Sequence, residues 1–119
     1  MARTNPRAFM TRNFPELWVY KRTTSRMFES KEKHHYYDDW WFKLGVDDLD
    51  KNEFIIFIGA KDYIDKDFKV FKVPSAFLAK NLESLSKTDA GWINIYVHFE
   101  TMKDLRHPDG LSFAEFALN

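Results

Sequence analysis

Four side chains able to bind a metal or move a proton fall within six residues, His34, His35, Asp38 and Asp39, in the pattern HHxxDD. Imidazole and carboxylate are ordinary ligands of divalent metals. On a helix His34 would share a face with Asp38, and His35 with Asp39. The same residues also read as a solvated turn ahead of a strand, and that reading is favoured because so simple a spacing often arises by chance. Asp47, Asp48, Asp50 and Asn52 resemble part of a calcium loop, but its central Gly and terminal Glu are missing at the required spacing, so a polar hairpin turn explains them better. His98 with Glu100 could serve acid–base chemistry or form a surface pair. There is no Gly-rich phosphate loop, no GxSxG elbow and no zinc-protease motif. The chain has no cysteine, which excludes disulfides, thiolate metal ligands and thiolate nucleophiles.

A second signal is aromatic. Tyr36, Tyr37, Trp40 and Trp41 crowd into six residues, and Trp92 and Tyr96 fall on alternate positions of a later apolar run. In a one-sided core only one ring of each strand pair can turn inward. The remainder would form a surface that anchors a protein partner or stacks nucleobases, unless the N-terminal segment or the terminal helix covers it.

Charge adds a third signal. The formal net charge is zero, but residues 1–33 hold eight basic side chains (Arg3, Arg7, Arg12, Lys21, Arg22, Arg26, Lys31 and Lys33) against three acidic ones. That third of the chain carries +5 and the rest −5. A basic third can track phosphates, or it can pair with its own acidic body or with an acidic protein.

These side chains must be positioned by a single domain, since 119 residues suffice for one core. Residues 1–13, with Asn5-Pro6 and no periodicity, read as a basic N-terminal arm. Pro15 and the β-branched and aromatic run after it predict a strand over about 16–23. A second strand is expected over Trp40–Gly45, with Trp40, Phe42 and Leu44 on one face and Trp41 and Lys43 on the other. Phe54–Ile58 is apolar at five consecutive positions, the mark of a central strand covered on both faces. Phe68–Val73 returns as a strand, Pro74 stops it, and Ser75 is placed to cap a helix of Ala76–Leu85. In the last strand Ile93, Ile95, Val97 and Phe99 turn inward, while Trp92, Asn94, Tyr96 and His98 turn outward. One turn of helix over Thr101–Arg106, a turn at His107–Gly110 and a short terminal helix capped by Ser112 complete the chain. The fold class expected is α+β, an α/β sandwich with a mixed sheet of four to five strands and packed helices.

The order of these elements, with DDWWFKLG, EFIIFIGA and FKVFKVPSAFL, resembles the C-terminal half of the PD-(D/E)XK, restriction-endonuclease-like nucleases over roughly Trp18–Phe99. In that family one strand supplies an Asp, and the next an acidic residue or Gln, a spacer and a Lys, often followed by Thr-Ser. The carboxylates hold Mg²⁺, which polarises the phosphate and activates a water. VYKRTTS is similar to the second of those strands, with Lys21 in the Lys position and Thr23, Thr24 and Ser25 after it. Val19 stands where a ligand is needed, and nothing upstream resembles the Asp-bearing strand.

The resemblance therefore implies an ancestry without the catalytic pair. The reading it supports is a small non-catalytic binding protein with no cofactor. It would be a phage or mobile-element accessory protein that inhibits or engages a host nucleic-acid-processing system. Its binding residues would be Trp41, Trp92, Tyr96, Arg3, Arg7, Arg12, Lys21 and Arg22. The alternative is a Mg²⁺-dependent nuclease whose site combines Lys21 with Asp38 or Asp39, or is completed by a second chain. A protein partner is expected, nucleic acid is a further candidate, and a homodimer is open to it. No apolar run approaches the ~20 residues that cross a bilayer, so no membrane role is expected. The start of the chain lacks the apolar segment of a secretion signal. Absent cysteine fits a cytoplasmic setting.

Overall fold

The computed structural model describes residues 5–29, 38–61, 67–104 and 110–119. Its elements are α1 (Pro6–Asn13), a 3-10 turn (Pro15–Val19), β1 (Lys21–Ser25), β2 (Met27–Phe28), β3 (Asp39–Gly45), α2 (Asp48–Lys51), β4 (Phe54–Ala60) and β5 (Phe68–Pro74). There follow α3 (Ser75–Lys80), a 3-10 turn (Leu82–Ser84), β6 (Ser86–Lys87), β7 (Trp92–His98) and a 3-10 turn (Ala114–Phe116). The class is α+β, with the strands divided between two sheets in the orders β1-β4-β5 and β2-β3-β7-β6.

β4 explains why the chain needs two cores. Its side chains alternate between faces, and Ile55, Ile56, Phe57 and Ile58 are all buried. Ile55 and Phe57 join Phe71 and Val73 of β5 against Trp40, Phe42 and Leu44 of β3 and Ile93, Ile95 and Val97 of β7. Ile56, Ile58 and Ala60 face the other way, onto Phe9 and Met10 of α1 and Leu17 of the 3-10 turn. The first sheet is thus a middle layer, with the second sheet on one side and the N-terminal segment on the other.

Residues expected to form an arm are therefore partly structural. Pro6–Asn13 is a helix whose Asn5 side chain accepts from the Ala8 N–H at 2.7 Å, the usual device for satisfying a helix's first orphan donors. Met10 is fully buried and Phe9 nearly so, with Phe9 set edge-on to Phe68 at 5.3 Å. The strand expected over 16–23 also differs. Pro15–Val19 turns as 3-10 helix, which drops Leu17 into the core and leaves Val19 78% exposed, and extended backbone begins only at Lys21.

β1 and β2 are one strand bent at Arg26, and the bend carries the chain from the first sheet to the second. β1 runs parallel to β4, whereas β2 pairs antiparallel with β3. Where the backbone ladder stops, side chains continue it. Trp41 N–H donates to Ser25 Oγ at 2.9 Å and Lys43 N–H to Thr23 Oγ1 at 3.2 Å. Both hydroxyl residues are buried, and buried backbone donors need such partners.

The sheets meet closely at Gly59. A Cβ there would lie 2.6 Å from Trp40 Cε2, and the indole is held by its Nε1–H donating to Ala60 O at 2.8 Å. α3 is shorter than expected, ending at Lys80, where Asn81 donates from both its backbone N–H and its side chain to Phe77 O. Pro74, not Ser75, occupies its N-cap position, and Ser75 is buried. Over Thr101–Asp104 the chain makes bridges rather than a turn of helix, to Val97 and Ser112, and Arg106 lies outside the described residues. Ser112 Oγ does accept from the Ala114 N–H, at the start of the last 3-10 turn. No helix among the described residues is long and apolar enough to cross a membrane.

Candidate nucleic-acid interface

β1 is an edge strand of the middle layer, and its alternation sorts chemistry onto two faces. Thr23 and Ser25 turn towards the second sheet. Arg22 and Thr24, level with Ile56 and Ile58 of β4, turn towards α1. A groove lies on each side of this edge, and Thr24 lines both.

The first groove, between α1 and β1, encloses about 640 Å³ and is lined by Asn5, Pro6, Arg7, Thr11, Trp18, Arg22, Thr24 and Ile58. Arg22 is its fixed point. The guanidinium lies over the Trp18 ring with Cζ 4.0 Å from the centroid. One terminal nitrogen donates to Trp18 O at 2.8 Å and Tyr20 O at 3.2 Å. The Trp18 indole in turn donates to Thr11 Oγ1 at 3.3 Å, which ties the 3-10 turn to α1. Burial, and after it the positive charge of Arg7, lowers the Arg22 pKa from its ordinary value. An arginine remains protonated all the same, so two like charges are held beside one cavity.

The second groove, of about 550 Å³, is lined by Thr23, Thr24, Ser25, Arg26, Phe28, Trp41 and Lys43. It opens onto the outer face of the second sheet, where the aromatic side chains are ordered by contacts between strands. Trp41 stacks on Tyr96 with centroids 5.7 Å apart and planes 7° from parallel, and its Nε1–H donates to Asn94 Oδ1 at 2.9 Å. Phe28 lies 6.2 Å from Trp41, the Arg26 guanidinium covers Phe28 at 3.9 Å, and Lys43 Nζ sits 4.7 Å from the Trp92 centroid. Trp41 and Trp92 remain 37% and 43% exposed. Among the described lining residues the two grooves carry four cationic side chains, Arg7, Arg22, Arg26 and Lys43, and no carboxylate.

The sequence-derived candidates divide accordingly. Arg7 and Arg22 come together in the first groove, and Trp41 and Trp92 are exposed on the outer sheet face. Tyr96 is on that face but is 9% exposed, because the Trp41 indole lies flat on it; it supports a surface ring rather than presenting one. Arg12 is exposed in the last turn of α1 and lines neither groove. Arg3, His34, His35, Tyr36 and Tyr37 lie outside the described residues. Trp18, Arg26, Phe28 and Lys43 join the site only through the fold. The signal that could have found Lys43 is its alternation with Trp41 on one strand face.

Lys21, Asp38 and Asp39 do not meet. The Ser25–Trp41 and Thr23–Lys43 bonds fix the register of β1 against β3 and put Lys21 level with Gly45, six residues from Asp39. At about 3.3 Å per residue that is roughly 20 Å, far beyond any shared metal site. Lys21 is exposed, and its N–H donates to Asn52 Oδ1. Asp39 is buried beside His98 on the neighbouring strand, whereas Asp38 is exposed. Among the described residues no group of three or more His, Asp or Glu side chains could hold a metal ion. The chain matches no family model, no curated protein and no solved structure at a significant level.

Proposed function

We propose that this protein binds single-stranded nucleic acid along the β1 edge without cleaving it, as an accessory or inhibitor of a nucleic-acid-processing system. The observation that carries this reading is the pair of grooves sharing Thr24, with four cations, no carboxylate in the described lining and two exposed indoles alongside. Guanidinium and ammonium groups supply the sequence-independent attraction to phosphate. Flat indoles held by strand-to-strand contacts offer π-faces to unpaired bases, each stack contributing about 1–3 kcal/mol. A duplex hides those base faces, so single strands are preferred. The separation of Lys21 from Asp38 and Asp39 favours binding over hydrolysis.

The test is an anisotropy titration of a labelled oligothymidine and of its duplex with oligoadenosine across a salt series. The single strand should bind more tightly. Log Kd should rise with log salt with a slope of about 3 for four contacted phosphates, at ~0.7 per phosphate on single strands. Equal affinity for duplex and single strand, or affinity indifferent to salt, would contradict the reading.

A further inference from the structure

The two grooves are not equivalent. In the α1–β1 groove, Arg22 is fixed by its stack on Trp18 and by two carbonyls, and a second guanidinium, Arg7, lines the same cavity. Two cations lining one cavity without a carboxylate in its described lining favour a bound anion. The hydroxyls of Thr11 and Thr24 and the amide of Asn5 are also in the lining and can donate to it. The volume, about 640 Å³, suits a nucleotide-sized ligand rather than a simple ion.

Charge decides which phosphate fits. A phosphodiester carries one negative charge, whereas a phosphomonoester carries about −1.5 to −2 at neutral pH with three acceptor oxygens. Two guanidiniums match the second, and each can engage it through two parallel N–H donors. We propose that the α1–β1 groove is a phosphomonoester site, which receives the terminal phosphate of the nucleic-acid strand. The next nucleotides pass over Thr24 into the second groove, towards Trp41. This rests on the reading of the β1 edge as a nucleic-acid surface, but the pocket can be tested without it.

The experiment compares a decamer of single-stranded DNA bearing a 5′-phosphate, a 3′-phosphate or only hydroxyl ends, at fixed salt. A phosphorylated end should tighten binding about ten-fold, as expected for added charge-assisted hydrogen bonds, and the better of the two ends gives the strand's polarity. Arg7→Gln, at an exposed position, should abolish that preference. Trp92→Ala should weaken all three decamers by the same factor and leave the preference intact. If all three bind wild type equally, the phosphomonoester site is refuted while the wider interface stands. If none binds, the interface fails, and a calorimetric titration with a nucleoside 5′-monophosphate decides the pocket by itself. Binding that Arg7→Gln removes supports the site, and no binding refutes it.

Discussion

Gly59→Ala tests the packing of the two sheets at their closest approach. The added methyl carbon would lie 2.6 Å from Trp40 Cε2 and 2.7 Å from Cδ2 and Nε1, so the indole must retreat by about 1 Å to reach ordinary contact distance. It has little room: Trp40 packs on Phe99 at 4.9 Å and Phe71 at 5.9 Å, and its Nε1–H is bonded to Ala60 O. Overpacking of this kind costs about 1–3 kcal/mol. Losing the indole bond would leave a buried donor and acceptor at about another 1–3 kcal/mol. Replacing a strand glycine returns roughly 0.5–1 kcal/mol. The net expected loss is about 1–5 kcal/mol, measured by urea denaturation followed through tryptophan fluorescence. Trp40→Phe in the Gly59→Ala background should be less damaging than the sum of the two single changes, because the smaller ring removes the clash. A Gly59→Ala protein as stable as wild type, or strictly additive single changes, would refute the contact.

Ile56→Ala, on the face of β4 covered by α1, should cost about 2–5 kcal/mol, whereas Lys61→Ala, in an exposed pair with Asp67 at 3.4 Å, should change stability by less than about 0.5 kcal/mol in the same denaturation assay. Thr23→Val keeps the shape of a buried side chain but removes the acceptor of the Lys43 N–H, so it should cost about 1–3 kcal/mol and speed hydrogen exchange at that amide relative to its β3 neighbours. Plasmid or RNA incubated with Mg²⁺ or Mn²⁺ should stay intact; cleavage abolished by Lys21→Ala would overturn the non-catalytic reading.

The long strands were legible because their periodicity had one interpretation. Five apolar residues in a row at Phe54–Ile58 required cover on both sides, and Pro74 marked the end of its partner. The N-terminal segment was not legible, because an eight-residue helix with only Phe9 and Met10 buried offers too few apolar positions to show a period. Trp18 and Val19 have strand propensity, yet tertiary packing turns this stretch into a 3-10 segment that buries Leu17 and supports Arg22 through Trp18. The exposed indoles followed from strand alternation. Tyr96 shared their parity but is covered by Trp41, a cross-strand contact that depends on the β3–β7 register. Thr23 and Ser25 looked like part of a phosphate-handling motif, and their ladder role depends on the strand bend at Arg26, which no local pattern announced.

The central claim, a single-strand interface built on exposed indoles and the cations of the β1 edge, is tested most directly by titrating fluorescently labelled oligothymidine at low salt. The comparison is wild type against Trp41→Ala and Trp92→Ala, each checked for unchanged thermal unfolding. Wild type should bind, and each folded variant should lose about 1–3 kcal/mol of binding free energy, the loss of one base stack. Wild-type protein that does not bind the strand at low salt, or two folded variants that bind as wild type does, would contradict the account.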